Sequence, residues 1–305
     1  MNNHQEKTIL VTGATGTVGS EVVKHLAAIS LSSGYNIRAA VHSKNKSNQL
    51  RRFDSKRVEI VDLDYAKPET LAYALNGVDK IFLQTLPIPN VIDISSNLVK
   101  EAKKNGAKYI VKLSAMGAGS KPKSTILRLH EEEEKIIKDS RIPYTSLRPP
   151  AFMQNFVTQF GYTIKTQNAF YVPAGDAKMS FVDTRDIGAI AAVILTKNNN
   201  GASQQLENKA YDITGPESLS YGQVADILSN EVGKKISYMD ITEDDARNRM
   251  KQIGMDEWFI NIIIELFRII RAGYGSETTT AVQHITGRKP ISFAQFAKDY
   301  AEALR

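Results

Sequence analysis

The chain has 305 residues, enough to bury a substantial core in one large α/β domain or in two unequal ones. Its hydrophobic fraction of 42% and charged fraction of 24% are those of an ordinary globular protein, and the absence of cysteine excludes disulfides, thiolate nucleophiles and zinc-thiolate sites. The formal charge of +6 comes from scattered basic residues without interleaved aromatic residues, so we expect no nucleic-acid partner.

No uninterrupted apolar run is long enough for a membrane span, and residues 1–7 lack the apolar core of a signal peptide. We therefore expect no membrane association and a cytoplasmic location. The histidines and acids show no metal-ligand spacing, so no metal site is predicted.

The first predicted elements are a strand, a glycine-rich turn and a helix. Residues 7–12 are β-branched and apolar, as in a buried parallel strand, and apolar residues recur at helical spacing after Gly19. Between them, Gly13, Gly16 and Gly19 follow one another at three-residue intervals. Glycine is needed where such a turn is tight, where the backbone approaches a pyrophosphate and where the helix packs on the strand. The pattern predicts dinucleotide binding at the helix N-terminus, and the alternative is a purely structural turn.

The second predicted strand, residues 36–41, ends in a basic segment. An NAD-specific site places an acid near this point, about 20 residues beyond the glycines, to bind the ribose hydroxyls. This chain instead has His42, Ser43 and Lys44 there, with Arg38 inside the strand. These side chains suit a 2′-phosphate. We expect NADP(H) as the cofactor and NAD(H) to be less favoured, and the alternative is a solvated basic loop.

Strands and helices continue to alternate along the chain. The predicted strands cover residues 58–62, 80–84, 109–114 and 144–148, and the predicted helices cover residues 68–75, 91–105 and 125–139. This alternation predicts an α/β fold with a doubly wound parallel sheet, the Rossmann arrangement, whose ligands gather at the carboxyl ends of the strands.

A later predicted helix, residues 258–270, is apolar nearly all round. Asn261, Glu265 and Arg268 form its one polar stripe. We expect it to complete its own domain and to wall a hydrophobic substrate pocket, and the alternative is a dimer or partner surface. The predicted pocket residues are Phe152, Met153, Phe156 and Trp258. Both a monomer and a homodimer stay open.

The chain resembles the NmrA-like atypical short-chain dehydrogenases over nearly its whole length. The motifs that carry the resemblance are TGATGTVG at 12–19, DLD at 62–64, GVDKIFLQT at 77–85, LSAMGA at 113–118, HEEEE at 130–134, IPYTSLRPPAFMQNF at 142–156, SFVDTRDIG at 180–188 and YDITGPESLSY at 211–221. The resemblance implies an NADP(H)-binding Rossmann domain over residues 7–156 and a smaller, partly interleaved substrate-binding domain over residues 157–305.

The resemblance also implies the cofactor contacts. Asp62 and Leu63 would contact the adenine, and Ser114 and Pro149 would flank the nicotinamide. The full predicted set is Gly13, Thr15, Gly16, Thr17, Val18, Gly19, His42, Ser43, Lys44, Asp62, Leu63, Thr85, Leu86, Pro87, Ser114 and Pro149. Many relatives carry Arg where this chain has His42.

The Tyr and Lys pair of ordinary short-chain dehydrogenases is absent, because no tyrosine is followed by Lys at the fourth position. In those enzymes the Tyr protonates the alkoxide and the Lys lowers its pKa, so conventional alcohol or sugar-epimerase chemistry is not expected.

The predicted helix 125–139, which carries that pair in ordinary members, holds a different pair of residues. Here His130 and Glu134 share a helix face beside a buried apolar stripe. By alignment, His130 takes the position at which the related phenylpropanoid reductases hold a catalytic Lys. We expect His130 to donate the proton that follows hydride transfer, with Glu134 orienting its ring. The alternative is a helix-surface histidine in a solvated glutamate run.

Members of this group reduce quinones or triarylmethane dyes, some act on alkaloid iminium ions, and others are regulatory. The resemblance implies an NAD(P)H-dependent reductase that transfers hydride to a small, hydrophobic, electrophilic acceptor such as a quinone. Such acceptors tolerate the loss of Tyr and Lys, because the product charge is delocalised or neutralised. One alternative is a non-catalytic NADP(H)-sensing regulatory protein of the NmrA type with a protein partner. Another is an iminium or enoyl reductase in a biosynthetic pathway.

Overall fold

The computed structural model describes residues 7–43, 47–53, 57–120, 124–197 and 204–305. These residues group into two compact units. The first holds the described residues of Met1–Ser114, Leu129–Arg148 and Ile187–Tyr211, and the second holds those of Ala115–Arg128, Pro149–Asp186 and Asp212–Arg305.

A seven-stranded sheet forms the centre of the first unit. Its strands are β1 Lys7–Val11, β2 Tyr35–Val41, β3 Val58–Asp62, β4 Lys80–Leu83, β5 Tyr109–Leu113, β6 Tyr144–Arg148 and β9 Lys209–Asp212. Their order in the sheet is β3-β2-β1-β4-β5-β6-β9. Strands β1 to β6 pair in parallel. The strand order reverses between β1 and β4, which is the switch point of a doubly wound sheet. The predicted fold class is confirmed.

The helices of the first unit connect these strands. They are α1 Thr17–Ser33, α2 Pro68–Leu75, α3 Val91–Lys104, most of α4 Thr125–Ser140 and most of α7 Thr184–Thr196, with 3-10 turns at Asn48–Phe53 and Gln204–Leu206. Helix α1 ends at Gly34, whose φ of 72° is left-handed, and α2 begins with Pro68, whose fixed φ suits a first helical position. Residues 187–211 therefore belong with the sheet. This grouping differs from the boundary expected at residue 156, because β9 completes the sheet beside β6.

Small sheets and short helices make up the second unit. Strand β7 Ala169–Val172 pairs in parallel with β11 Ser237–Asp240, and β8 Lys178–Met179 pairs antiparallel with β10 Leu219–Ser220. The helices are α5 Asn155–Thr158, α6 Gly161–Gln167, α8 Tyr221–Val232, α9 Glu243–Gln252, α10 Glu257–Arg271, α11 Ala281–Thr286, α12 Phe293–Asp299 and α13 Ala301–Leu304.

Helix α10 has the predicted pattern of one polar stripe on an apolar helix. Five of its six isoleucines are buried, and Ile260 and Ile264 pack with Ala246 of α9. In the stripe, Arg268 is exposed and bonds Glu243. The helix thus contributes to the core of its own unit. Within the described ranges, no helix is both long enough and apolar enough to cross a bilayer.

Candidate functional site

Three glycines shape the turn between β1 and the start of α1. Gly13 has a left-handed φ of 61°, and its carbonyl accepts a hydrogen bond from Gly16 N at 2.9 Å. A Cβ on Gly19 would lie 2.1 Å from Gly13 O, and one on Gly16 would lie 3.1 Å from it. The N-cap of α1 is Gly16, which has no side chain to accept the first helical N–H groups. Those groups are suited to bind a phosphate.

Gly13 and Gly16 border a cleft of about 480 Å³ at the carboxyl ends of the central strands. Seven of the predicted cofactor residues line it: Gly13, Thr15, Gly16, His42, Leu63, Thr85 and Leu86. The cleft thus lies where a doubly wound sheet binds its ligands.

The other predicted cofactor residues do not line this cleft. Thr17 begins α1, Val18 is buried, and Gly19 packs on Gly13. Ser43, Asp62, Pro87, Ser114 and Pro149 are also absent from its lining. Lys44 lies outside the described residues.

Sequence reasoning missed several lining residues. They are Ala40, Val41, Asp64, Tyr65, Ala66, Gln84, Ile88, Asn90 and Ile94. Most of them directly follow or end β2, β3 and β4, so their position at the carboxyl ends of predicted strands was an available signal. The exceptions are Ile88, Asn90 and Ile94, which lie in the turn before α3 and in its first residues.

Arg38 does not contribute to this cleft. Its guanidinium donates to the carbonyls of Ala74 at 2.8 Å and Asn76 at 2.9 Å, and to Glu59 at 3.1 Å. It therefore stabilises the carboxyl end of α2, contrary to its expected place beside a 2′-phosphate. His42 is the basic side chain in the lining, 79% exposed and 4.0 Å from Asp64.

Two buried polar atoms near the strand ends fit a polar ligand. Gln84 Oε1 and Ser114 Oγ have no hydrogen-bond partner in the described part of the chain. Gln84 lines the cleft, and Ser114 directly follows β5. Because buried polar atoms normally have partners, these two are suited to bonds with a dinucleotide. The two polar atoms, the glycine turn and the cleft all fit such a cofactor.

A buried polar cluster shares Thr85 with the cleft. Glu133 Oε1 accepts hydrogen bonds from Thr85 Oγ1 and Ser95 Oγ, both at 2.6 Å. Glu133 Oε2 lies 2.8 Å from Lys112 Nζ, which also donates to Thr85 at 3.0 Å. His130 Nδ1 lies 3.3 Å from the same Glu133 oxygen. The cluster thus links one wall of the cleft to the predicted proton donor.

The carboxylate beside His130 is Glu133, so the expectation for Glu134 needs correction. Glu134 accepts from Arg148 Nε at 2.9 Å, at the end of β6. Residues three and four positions after His130 both neighbour it on a helix, and packing on the sheet selects Glu133. The His130 side chain is only 18% exposed, which does not fit a solvated surface histidine.

Burial and charge act against each other in this cluster. Burial would raise the pKa of Glu133, but Lys112 and His130 outweigh it and hold that pKa well below its usual range. Burial lowers the pKa of His130, and the nearby Glu133 carboxylate offsets only part of this effect. His130 is therefore mainly neutral near neutral pH and gains its proton as the pH falls.

Two of the predicted pocket residues lie in the core of the second unit. Phe156 is 0% exposed and packs against the rings of Phe170, Phe181 and Phe293 at centroid distances of 5.3 to 5.4 Å. Met153 is 1% exposed in the same core. Neither side chain has a surface left for a substrate, contrary to expectation. Phe152 and Trp258 are only partly buried.

No group of three or more potential metal-ligating side chains occurs among the residues that the structure describes.

Known proteins resemble this chain over most of its length. The sequence profile of the NmrA-like family matches residues 5–287. An NAD(P)H azoreductase of Xenophilus azovorans is 35% identical over 296 residues, which cover 97% of this chain and 99% of that protein.

Two solved structures are also similar to this chain. Triphenylmethane reductase of Citrobacter sp., complexed with NADP(H), superposes with a TM-score of 0.80 at 27% identity, covering 96% of this chain and 99% of that one. An NADPH-dependent quinone oxidoreductase of Escherichia coli superposes with a TM-score of 0.79 at 25% identity, covering 95% and 98%. Together with the matched profile, these likenesses show that the chain belongs to the NmrA-like family.

Proposed function

We propose that this protein is an NAD(P)H-dependent reductase that binds NADP(H) in the cleft of the first unit. Its acceptor is a small, hydrophobic electrophile such as a quinone. The observation that carries the proposal is the glycine-bordered cleft that shares Thr85 with the buried cluster around His130. The azoreductase, the dye reductase and the quinone oxidoreductase, which are similar to this chain, support the same chemistry.

The residues at the cleft divide the binding between them. The Gly13 to Gly16 turn and the start of α1 would hold the pyrophosphate, His42 would bind the 2′-phosphate, and Leu63 would contact the adenine. When bound, NADPH supplies a hydride. Thr85 and Leu86 would contact the ribose side.

His130 would supply the proton that a quinone needs after it accepts a hydride. Glu133 Oε2 lies 3.3 Å from Nδ1, so Nε2 of the protonated ring would donate, and the neutral ring that results would then regain a proton from solvent. With no Tyr and Lys pair in the chain, His130 would be the one protonating group, and acceptors that need no proton would not depend on it.

A comparison of two acceptors tests whether His130 donates a proton only to acceptors that need one. A triarylmethane dye is a carbocation, which one hydride converts into a neutral product, whereas a quinone also needs a proton. NADPH oxidation is followed by absorbance with each acceptor, for the wild type, His130→Gln and the control His284→Gln on α11. His130→Gln is expected to lower quinone turnover about 10²-fold and to leave dye turnover nearly unchanged. His284→Gln should change neither.

Equal losses with both acceptors would refute the proton-donor role. If the chain binds NADPH in equilibrium dialysis and no acceptor consumes it, the reductase proposal fails. The NADP(H)-sensing regulator with a protein partner then replaces it. Turnover confined to iminium ions or enoyl compounds would favour the biosynthetic alternative.

A further inference from the structure

Glu133 lies between two cationic or potentially cationic groups in a dry environment. Its Oε2 is 2.8 Å from Lys112 Nζ and 3.3 Å from His130 Nδ1. The side chains of Lys112 and Glu133 are 0% and 2% exposed. Charges interact more strongly there than in water, so the charge of Lys112 decides how strongly Glu133 attracts a proton on His130.

Lys112 is fixed in this place by the sheet. It belongs to the buried strand β5, where it pairs with Leu83 of β4, and it donates to Thr85. Its ammonium therefore cannot swing away into solvent. Without it, an uncompensated Glu133 would hold a proton on His130, because an opposite charge at this distance strongly favours the charged form of a histidine.

We propose that Lys112 is a positioning residue for His130: by neutralising Glu133, it lets this carboxylate orient the imidazole without trapping a proton on it. The inference rests on the proposed function, in which His130 must release that proton at each turnover. It assigns a role to a buried lysine that is not itself part of the cleft lining and contacts that lining at Thr85.

The other charges near His130 have their own partners. On α4, Glu134 is bonded to Arg148 of β6, so its charge is offset. Tyr65 follows β3 and lies near Glu133. Burial, helped by the charge of Glu133, raises the pKa of Tyr65 to about 12, so this side chain stays neutral. Burial lowers the pKa of His130, Lys112 acts in the same direction, and Glu133 and Glu134 oppose them. Variants that remove the charge of Lys112, of Glu133 or of both can thus separate the effects of the two charges on His130.

A charge cycle at these two positions tests the proposal. The His130 ring signal is titrated by NMR in the wild type, Lys112→Met, Glu133→Gln and the double variant, and it is assigned by its loss in His130→Gln. We expect the midpoint to rise by about one pH unit or more in Lys112→Met and to fall in Glu133→Gln. In the double variant, which again has no net charge beside the ring, it should return close to the wild-type value.

Lys80→Met is the matched control. Lys80 is also buried, but it pairs with Tyr109, three residues before Lys112 on β5, and its Nζ donates to Lys197 O. The substitution should leave the His130 midpoint unchanged. In the same proteins, the pH at which quinone turnover declines should rise with Lys112→Met and not with Lys80→Met.

An unchanged His130 midpoint in Lys112→Met overturns the proposal. Lys112→Met leaves Glu133 buried and uncompensated and could therefore fail to fold. In that case, the His130 midpoints of Glu133→Gln and of the double variant test the proposal. An unchanged midpoint in Glu133→Gln, or one in the double variant that stays at the Glu133→Gln value, then overturns it. The titration needs neither cofactor nor acceptor, so its failure is distinguishable from a failure of the reductase proposal.

Discussion

His42 and Arg38 are four residues apart in sequence and have different roles. His42 lines the cleft, whereas Arg38 is bonded to Glu59 and to the last carbonyls of α2. Because a 2′-phosphate distinguishes NADPH from NADH, the preference between the two cofactors should depend on His42 and not on Arg38.

We predict that His42→Ala weakens NADPH binding about tenfold, the value of one charge-assisted hydrogen bond, and leaves NADH binding unchanged. The measurement is the dissociation constant of each cofactor by calorimetry. Arg38→Met is the matched control, which should lower the free energy of unfolding without changing the ratio of the two constants. A His42→Ala protein that keeps the wild-type ratio would show that another group binds the phosphate.

Lys80 makes the free energy of unfolding depend on pH. Burial, helped by the charge of Lys7, lowers its pKa from 10.5 to about 8. Between these values the unfolded chain binds more protons than the folded one. Below about pH 8, the buried ammonium lowers the free energy of unfolding by its full amount. This loss disappears as the pH rises to 10.5.

Across that pH range, we predict that the free energy of unfolding rises more in the wild type than in Lys80→Met. Urea denaturation at a series of pH values measures the difference. Lys108→Met, at a lysine with 63% of its side chain exposed, serves as the control and should follow the wild type. Parallel curves for wild type and Lys80→Met would contradict the lowered pKa.

At the scale of elements, the β1 to α1 turn requires glycine for a reason that the structure makes quantitative. A Cβ on Gly19 would lie 2.1 Å from Gly13 O, which requires the helix to move off the strand. At Gly222 in α8, by contrast, a Cβ would meet its nearest atom, Ser220 Oγ, at 3.7 Å.

Gly19→Ala is therefore predicted to lower the free energy of unfolding by about 1–3 kcal/mol and to abolish measurable NADPH binding. Gly222→Ala should be neutral or stabilising by up to about 1 kcal/mol, because it restricts the unfolded chain. Thermal denaturation and cofactor titration of both variants check this. If Gly19→Ala bound NADPH normally, the turn would not be the phosphate site.

The elements could be predicted well because their signals are local. Apolar runs bounded by turn residues predicted β1 to β6 to within one residue, and the helices between them have clear apolar spacing. The partners of single side chains could not be predicted in the same way. Glu133 and Glu134 are equally placed on the helix by sequence, and only the position of Lys112 and Arg148 on the sheet separates them.

At the scale of the whole chain, the interleaving of the two units exceeded what the sequence indicated. Strand β9 has only exposed or partly exposed residues, so no apolar pattern identifies it as a sheet strand. Phe156 was difficult to place because its apolar character fits two locations. Large aromatic residues near a predicted strand end suit a pocket wall or a core equally, and its five ring neighbours place it in the core.

The most direct test of the reductase proposal is the fate of the hydride. NADPH that carries deuterium at both C4 positions of the nicotinamide is mixed with the protein and a triarylmethane dye, and the reduced dye is analysed by mass spectrometry. Direct transfer predicts one deuterium on the central carbon of the product, because that C–H bond does not exchange with water. A reduced dye without deuterium, or no reduction by protein that has bound NADPH, would contradict the proposal that this chain is a hydride-transferring reductase.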